Sequence, residues 1–152
     1  MSLEEYQKKR DRKRTTEPFG SDIDLPRPVY AIQEHHARNL HWDLRLEFDG
    51  VLKSWAIPKE PPAGEGVKRL AVATEDHPLA YASFEGNIPK GEYGAGEVKV
   101  WDKGTFNVLE QGKGKYVMDI KGEKLSGPYV LIQTRMAGNP RNWLFFRKKE
   151  AP

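Results

Sequence analysis

From His41 to Phe48 the chain alternates strictly: Trp42, Leu44, Leu46 and Phe48 hold one parity, while His41, Asp43, Arg45 and Glu47 hold the other. A period of two puts the two sets on opposite faces of an extended strand. Short apolar runs separated by turn residues continue along most of the chain. They predict strands over Val29–Gln33, His41–Phe48, Val51–Ile57, Arg69–Thr74, Glu97–Trp101, Thr105–Leu109, Lys115–Ile120, Tyr129–Thr134 and Trp143–Arg147. Nine short strands with scarcely a helix between them define a mostly β fold, either a sandwich or a closed antiparallel barrel. Asp49-Gly50 reads as a two-residue hairpin turn. Such a turn pairs Phe48 with Val51, and so sets Arg45 opposite Ser54 and Asp43 opposite Ala56.

The ends of this pattern differ from its middle. Leu3 to Arg14 is compatible with a short polar helix, and Gly20, Pro18, Pro26 and Pro28 make the stretch after it extended or looped. Residues 1–28 therefore read as a basic, partly helical leader, and residues 29–150 as the β core of one domain. The loop from Pro58 to Lys68 carries Pro61, Pro62, Gly64 and Gly66 and is long for a small β fold, which marks it for function or mobility. Gly91-Glu92-Tyr93-Gly94-Ala95-Gly96 has no βαβ context around it and reads as a turn rather than a phosphate-binding loop.

Composition narrows the classes. With 152 residues the chain is one domain of ordinary size, and 38% hydrophobic with 31% charged residues is the balance of a globular protein. No apolar run approaches the ~18 residues of a membrane helix, and the charged N-terminus is unlike a secretory signal, so a cytoplasmic location is expected. The absence of cysteine excludes disulfides, thiolate metal sites and cysteine nucleophiles, leaving His, Asp and Glu as metal ligands. Net charge is +3, from 25 basic and 22 acidic residues. The cations crowd the ends: Lys8, Lys9, Arg10, Arg12, Lys13 and Arg14 at one, and Arg147, Lys148 and Lys149 at the other. Phosphate attraction would be strongest there, although solvated tails account for the same pattern.

The polar parity of the His41–Phe48 strand carries an imidazole, a carboxylate and a guanidinium at steps of roughly 7 Å. Neutral His and ionised Asp ligate divalent ions, and Arg clamps phosphate oxygens. A solvent-facing row fits the parity as well. Arg69 to His77 repeats the design, with Arg69, Ala71, Ala73, Glu75 and His77 on one parity and Leu70 and Val72 on the other. Alanines between charged residues leave room for a ligand, while Pro78 sets a limit on where this strand ends. All four histidines, His35, His36, His41 and His77, fall in or beside these strands. On residues alone, a metal-assisted phosphoester enzyme competes with a non-catalytic nucleic-acid-binding barrel, whose aromatics would stack bases, and with a small-molecule phosphohydrolase.

The order of four segments is familiar: residues 35–47, His35-His36-Ala37-Arg38-Asn39-Leu40-His41-Trp42-Asp43-Leu44-Arg45-Leu46-Glu47; 50–59, ending Ser54-Trp55-Ala56-Ile57-Pro58-Lys59; 69–78, with Glu75-Asp76-His77-Pro78; and 84–96, with Ile88-Pro89-Lys90-Gly91-Glu92-Tyr93-Gly94. Over nearly the whole chain the sequence resembles the 3′-phosphoesterase domain of bacterial ligase D, the DNA end-joining ligase, and its free-standing archaeal relatives. The resemblance implies a small β-barrel enzyme, dependent on Mn²⁺ or another divalent transition metal, that processes the 3′ ends of DNA or DNA/RNA primer-templates. In the family a terminal ribonucleoside is removed, and then the 3′-phosphate, to leave a 3′-hydroxyl. By motif position His35, His41 and Asp43 are the expected metal ligands. Arg45 and His77 are expected on the scissile phosphate, and Arg10, Asp11, Glu17, Gln33, Ser54, Lys59, Arg69, Glu75 and Tyr81 match supporting catalytic or substrate-binding positions. A DNA ligase and a polymerase acting in trans are the expected partners.

The chain departs from the family at Glu34 and His36, where the pattern reads Lys-His-Asp-Ala around the His35 position. It has Trp42 and Leu44 where Tyr and Phe are common. His36 thereby offers an alternative imidazole to His35.

Overall fold

The computed structural model describes residues 3–8, 25–92 and 95–149. Nine strands follow in chain order: β1 (Val29–His36), β2 (Leu40–Phe48), β3 (Val51–Ile57), β4 (Lys68–His77), β5 (Gly86–Ile88), β6 (Gly96–Gly112), β7 (Lys115–Gly122), β8 (Ser126–Gln133) and β9 (Asn142–Arg147). All pairings are antiparallel, in the order β1-β2-β3-β4-β9-β8-β7-β6-β5. A further pairing of β1 with β6 closes eight of them into a barrel, with β5 added along β6. Closure removes the unpaired edges of an open sheet. The sole α-helical segment among the described residues is α1, Leu3–Lys8, under two turns long. Any continuation to Arg14 lies outside the described residues. No helix is long and apolar enough to cross a membrane among those residues.

The inner parity of the strands fills the barrel. Tyr30, Ile32, Trp42, Leu44, Leu46, Trp55, Ile57, Phe106, Met118, Ile120, Tyr129, Leu131 and Phe145 form one core. Each large aliphatic side chain buried there contributes roughly 1.5–3 kcal/mol. A second, smaller core lies on the outer parity of β1 and β3, where Val29, Ala31 and Leu52 meet Tyr6 of α1, Tyr81, Ala82, Phe84, Ile88 and Val98. Strands β1 to β3 are therefore covered on both faces, and the polar row of β2 sits at the margin of this outer layer.

The hairpin expected at Asp49-Gly50 is present, with φ of 53° and 79°. Positive φ at both central positions is the type I′ geometry that suits the strand twist, and glycine adopts it without cost. Its register sets Arg45 opposite Ser54 and Asp43 opposite Ala56, as expected from the turn.

Two expectations require correction, and one strand gave no sequence signal. The two strands read as Glu97–Trp101 and Thr105–Leu109 are one continuous β6, which pairs with β1 over its first half and with β7 over its second. Three-residue β5 went unread because it is too short to show a period. The parity of β4 is the reverse of the expected one over its first half: Ala71 and Ala73 face the barrel core, while Val72 and Thr74 stand opposite Ala56 and Ser54 on the outer face. A register shift between the Leu52 and Ser54 pairings then returns His77 to the outer face, opposite Leu52. His77 is itself the last residue of β4, so Pro78 ends the strand after it.

The 58–67 connection is pinned across one end of the barrel. The Tyr129 hydroxyl donates to the Pro62 carbonyl at 2.7 Å, and Arg69 Nε donates to the Glu60 carbonyl at 2.8 Å. On the far side of β1, Asp102 is buried and accepts backbone N–H bonds from Glu123, Lys124 and Leu125 at 2.8–2.9 Å, with the Tyr30 hydroxyl at 2.8 Å. It thus anchors the β7–β8 turn to β6. Gly122 allows this approach, since a Cβ there would lie 2.5 Å from Asp102 Oδ2.

Candidate active site

The outer parities of β1, β2, β3 and β4 converge on a cleft of about 350 Å³ lined by His35, Ala37, His41, Asp43, Arg45, Ala56, Thr74, Glu75, His77, Tyr81 and Ile88. Strand pairing does the assembly. His35 stands directly opposite His41, so residues six apart in sequence become cross-strand neighbours with ring centroids 4.7 Å apart. Asp43 follows His41 two residues on along the same face, placing its Oδ2 3.2 Å from His41 Nε2 and 3.6 Å from His35 Nδ1. One ligand atom from each of the three lies within 4.8 Å of the others. His36, on the opposite parity, places its Nε2 3.4 Å from Glu34 instead. The strand geometry therefore brings His35, and not His36, to the cluster.

The donor set fits a metal. Two imidazole nitrogens and one carboxylate oxygen form a mixed N/O set suited to first-row divalent ions. His41 Nδ1 lies 3.1 Å from the Asn39 carbonyl, which can only accept, so the Nδ1–H tautomer is favoured and Nε2 is the basic atom facing Asp43. Burial pulls the His41 ring down, but the hydrogen bond and charge of Asp43 and the Asn39 carbonyl outweigh it, leaving the group above its ordinary value of 6.5. Burial likewise opposes ionisation of Asp43. The charge of Arg45 and the bonds from His35 and His41 win, and hold the carboxyl well below the usual carboxylate range.

Arg45 is only 3% exposed and ties the two halves of the cleft together. Its Nε donates to Gln33 Oε1 at 2.9 Å, and one terminal nitrogen lies 3.6 Å from Asp43 Oδ2. The other terminal nitrogen is 3.3 Å from His77 Nδ1, and the guanidinium carbon sits 4.9 Å from the Tyr81 ring centroid. Gln33 is fixed in turn by donating to the carbonyls of Tyr81 and Phe84 at 2.6 and 3.0 Å. His77 Nδ1 has the Glu75 carbonyl at 3.0 Å and Ser54 Oγ at 3.4 Å, while Ser54 itself donates to the Leu52 carbonyl. A cation and an imidazole held side by side next to a cluster that could hold a metal ion form a site able to receive an anionic group.

Of the residues singled out in the sequence, His35, His41, Asp43, Arg45, Glu75, His77 and Tyr81 line the cleft, and Gln33 and Ser54 touch its members. Lys59 and Arg69 do not line it: Lys59 is exposed in the 58–67 connection, and Arg69 shares the inward parity of Ala71 near one barrel end. Arg10, Asp11 and Glu17 lie outside the described residues. Sequence reasoning missed Thr74, because the shift in β4 leaves no mark in the alternation. It also missed Tyr6, fully buried against His77, whose i, i+3 spacing from Leu3 was the available signal.

Barrel and cleft together define a closed β-barrel with a candidate metal centre on its outer sheet face. The chain belongs to the DNA Ligase D 3′-phosphoesterase domain family, whose family model matches residues 33–133. It is 48% identical over 158 residues to the multifunctional non-homologous end joining protein LigD of Pseudomonas aeruginosa, covering 97% of this chain and 19% of that protein. The LigD proteins of Mycolicibacterium smegmatis and Mycobacterium tuberculosis are 45% and 46% identical over the same 97% share of this chain, covering 21% and 20% of their own lengths. The chain thus spans about a fifth of the length of these curated relatives.

Proposed function

We propose that this chain is a metal-dependent hydrolase of the 3′ ends of DNA or DNA/RNA primer-templates in end-joining repair, removing a terminal ribonucleoside and then the 3′-phosphate. The observation that carries the reading is the His35–His41–Asp43 cluster abutting the Arg45–His77 pair in one cleft. Its modest volume, at the low end for ligand sites, suits a strand terminus rather than a duplex. The relatives named for non-homologous end joining support the choice of a DNA end as substrate.

His35, His41 and Asp43 would hold the metal, Mn²⁺ by family resemblance. When bound, such an ion polarises phosphate oxygens and neutralises their charge. The remaining work falls to the chain. Arg45, fixed by Gln33 and Tyr81, offers a preorganised positive charge to the phosphate oxygens in a site where water screens little. His77, with Nδ1 among the Glu75 carbonyl, Arg45 and Ser54, is placed beside that charge for contact with the phosphate. In phosphate removal, water adds to phosphorus, the bond to the 3′-oxygen breaks, and that oxygen takes a proton to become the hydroxyl. Glu75 and Ser54 support the imidazole, and Ala56 and Thr74 keep the floor of the cleft open. Lys59, Arg69, Arg10, Asp11 and Glu17 remain proposed contributors through their match to the family. A ligase and a polymerase are the proposed partners.

The deciding assay is phosphate release from a primer-template bearing a 3′-phosphate, with and without Mn²⁺. Release should require metal and fall on the order of 100-fold or more in both His41→Ala and His77→Ala, with metal affinity lost only in the former. Equal turnover of a free 3′-nucleotide would transfer the activity to small molecules. Tight duplex binding with no release would leave a binding barrel.

Proton and metal compete for His41. Its raised folded-state pKa stabilises the metal-free protein fully below the ordinary histidine range, and that contribution fades as pH rises through the raised value. Metal needs the unprotonated ring. The gain in Tm on adding Mn²⁺ is therefore expected to be small near about pH 5 and to grow up to about pH 8. A gain that is flat across this range, measured by thermal melts at fixed free metal, would remove His41 from the ligand set.

A further inference from the structure

The strand registers lay out the outer face of the cleft in rows. Arg45 on β2, Ser54 on β3 and Thr74 on β4 stand side by side in one row, and Asp43, Ala56 and Val72 form the next. At a spacing of about 4.8 Å per strand, the backbone of Thr74 lies roughly 10 Å from that of Arg45. Between them β3 raises little: Ala56 ends at its Cβ, and the Ser54 hydroxyl is turned to the Leu52 carbonyl and His77 Nδ1. Thr74 therefore borders an open floor on the side away from Arg45 and the His35–His41–Asp43 cluster.

The other polar side chains that line this floor are engaged. Asp43 meets His35, His41 and Arg45, Arg45 reaches His77, and Glu75, His77 and Tyr81 have partners of their own. Thr74 is half-buried, and its hydroxyl makes no hydrogen bond to any described residue. It is also the sole aliphatic hydroxyl among the described lining residues. Charged groups already answer a phosphate or a metal ion, whereas a hydroxyl, donor and acceptor at once, matches a neutral hydroxyl. At the opposite margin Ala37 and Ile88 offer no polar side chain to such a group.

We infer that Thr74 is a specificity-determining residue, whose hydroxyl pairs with the sugar hydroxyl beside the scissile phosphate, the 2′-hydroxyl of a ribonucleotide. This contact, which rests on the phosphoesterase reading above, sets which sugar is turned over faster. With the phosphate between Arg45 and the candidate metal cluster, the sugar that carries it lies over Ala56. The 2′-hydroxyl is separated from phosphorus by the bridging oxygen and two ring carbons, a reach of about 5 Å, one strand spacing, which brings it to β4. The same sugar carries the phosphate in both proposed steps, so one contact serves both.

The test uses the full chain and two variants: Thr74→Val, which keeps the branched shape that Val72 already places on this face, and Thr74→Ser, which keeps the hydroxyl. Phosphate release in Mn²⁺ is measured on primer-templates that end in a 3′-phosphate on either a ribonucleotide or a 2′-deoxyribonucleotide, with thermal melts to confirm folding. The native chain is expected to favour the ribonucleotide end in kcat/KM by about five- to tenfold, the worth of one hydrogen bond between neutral groups. Thr74→Val should lose that margin by slowing the ribonucleotide end alone, leaving the deoxyribonucleotide end within about twofold of the native rate. Thr74→Ser should keep most of the margin. Equal slowing of both ends in Thr74→Val, or a margin that survives loss of the hydroxyl, would overturn the assignment. A native chain that releases phosphate with no margin overturns it too, and leaves the phosphoesterase reading in place. If the native chain releases no phosphate, fluorescence anisotropy of the same two primer-templates decides. A binding margin for the ribonucleotide end that Thr74→Val abolishes upholds the sugar contact while the phosphoesterase reading falls; equal binding of both ends overturns the contact as well.

Discussion

Arg45→Ala is expected to abolish turnover and to destabilise the fold at once. The guanidinium is the shared partner of Gln33, Asp43, His77 and Tyr81. Removing it takes the preorganised charge from the phosphate, a loss worth on the order of 10²–10³ in kcat. It also leaves the Asp43 carboxylate, 6% exposed, without its main counter-charge, which costs about 3–5 kcal/mol for a buried ion pair broken on one side. The two losses are separable. Arg45→Lys restores a positive charge but not the planar fork that reaches three partners, so it should recover much of the stability and little of the activity. Thermal melts and phosphate-release rates on both variants check this. An Arg45→Lys enzyme with near wild-type kcat would show that charge alone suffices and that the geometry of the fork is incidental. Added Mn²⁺ should rescue part of the Arg45→Ala stability, because a divalent ion answers the same carboxylate.

The second large effect is far from the chemistry. Asp102→Ala removes the acceptor for three consecutive backbone N–H groups and for the buried Tyr30 hydroxyl. Hydrogen bonds to a charged acceptor are worth roughly 1.5–3 kcal/mol each, and the orphaned donors at Leu125 and Tyr30 add a desolvation penalty. Allowing for relaxation of the turn, a loss of about 3–5 kcal/mol is expected, enough to unfold a marginal domain near physiological temperature. Denaturant titration measures it. Asp102→Asn, which keeps one carbonyl oxygen, should recover part of the loss. A change under about 1 kcal/mol in Asp102→Ala would mean that the β7–β8 turn holds itself, and that the buried carboxylate is only a passenger.

These two residues mark how far the sequence is legible. Arg45 announces itself through alternation and through the Asp49-Gly50 turn, because a two-residue hairpin leaves no freedom of register and therefore dictates which residues face Asp43 and Arg45 across β3. The candidate metal cluster follows the same logic, with His35 opposite His41 once β1 and β2 pair. Asp102 gave no signal: its partners lie about twenty residues ahead and seventy behind, and an aspartate between Trp101 and Lys103 resembles any strand-surface acid. The fusion of two predicted strands into β6 has a similar cause, since a long strand that changes partner midway looks, by composition, like two short ones. The error on β4 is of another kind. Strict alternation does not show a shift of register, and the shift in β4 puts every residue on its near side on the face opposite to the one alternation implies. Closure of the barrel by β1 and β6 is a pairing of distant segments, which no local pattern encodes.

Strand β2 carries its candidate-site row on one face and its packing row on the other, with both faces buried. Two selective pressures are thereby interleaved residue by residue on one strand without sharing a surface. The inward row needs only apolar shape and the outward row only its polar chemistry, so a substitution on one does not require a change on the other. Substitutions are absorbed on this plan, but insertions and deletions are not: one residue gained or lost within the strand would exchange the two rows. The lineage of such a domain should therefore be written in point changes along β2, with changes of length confined to the loops around it.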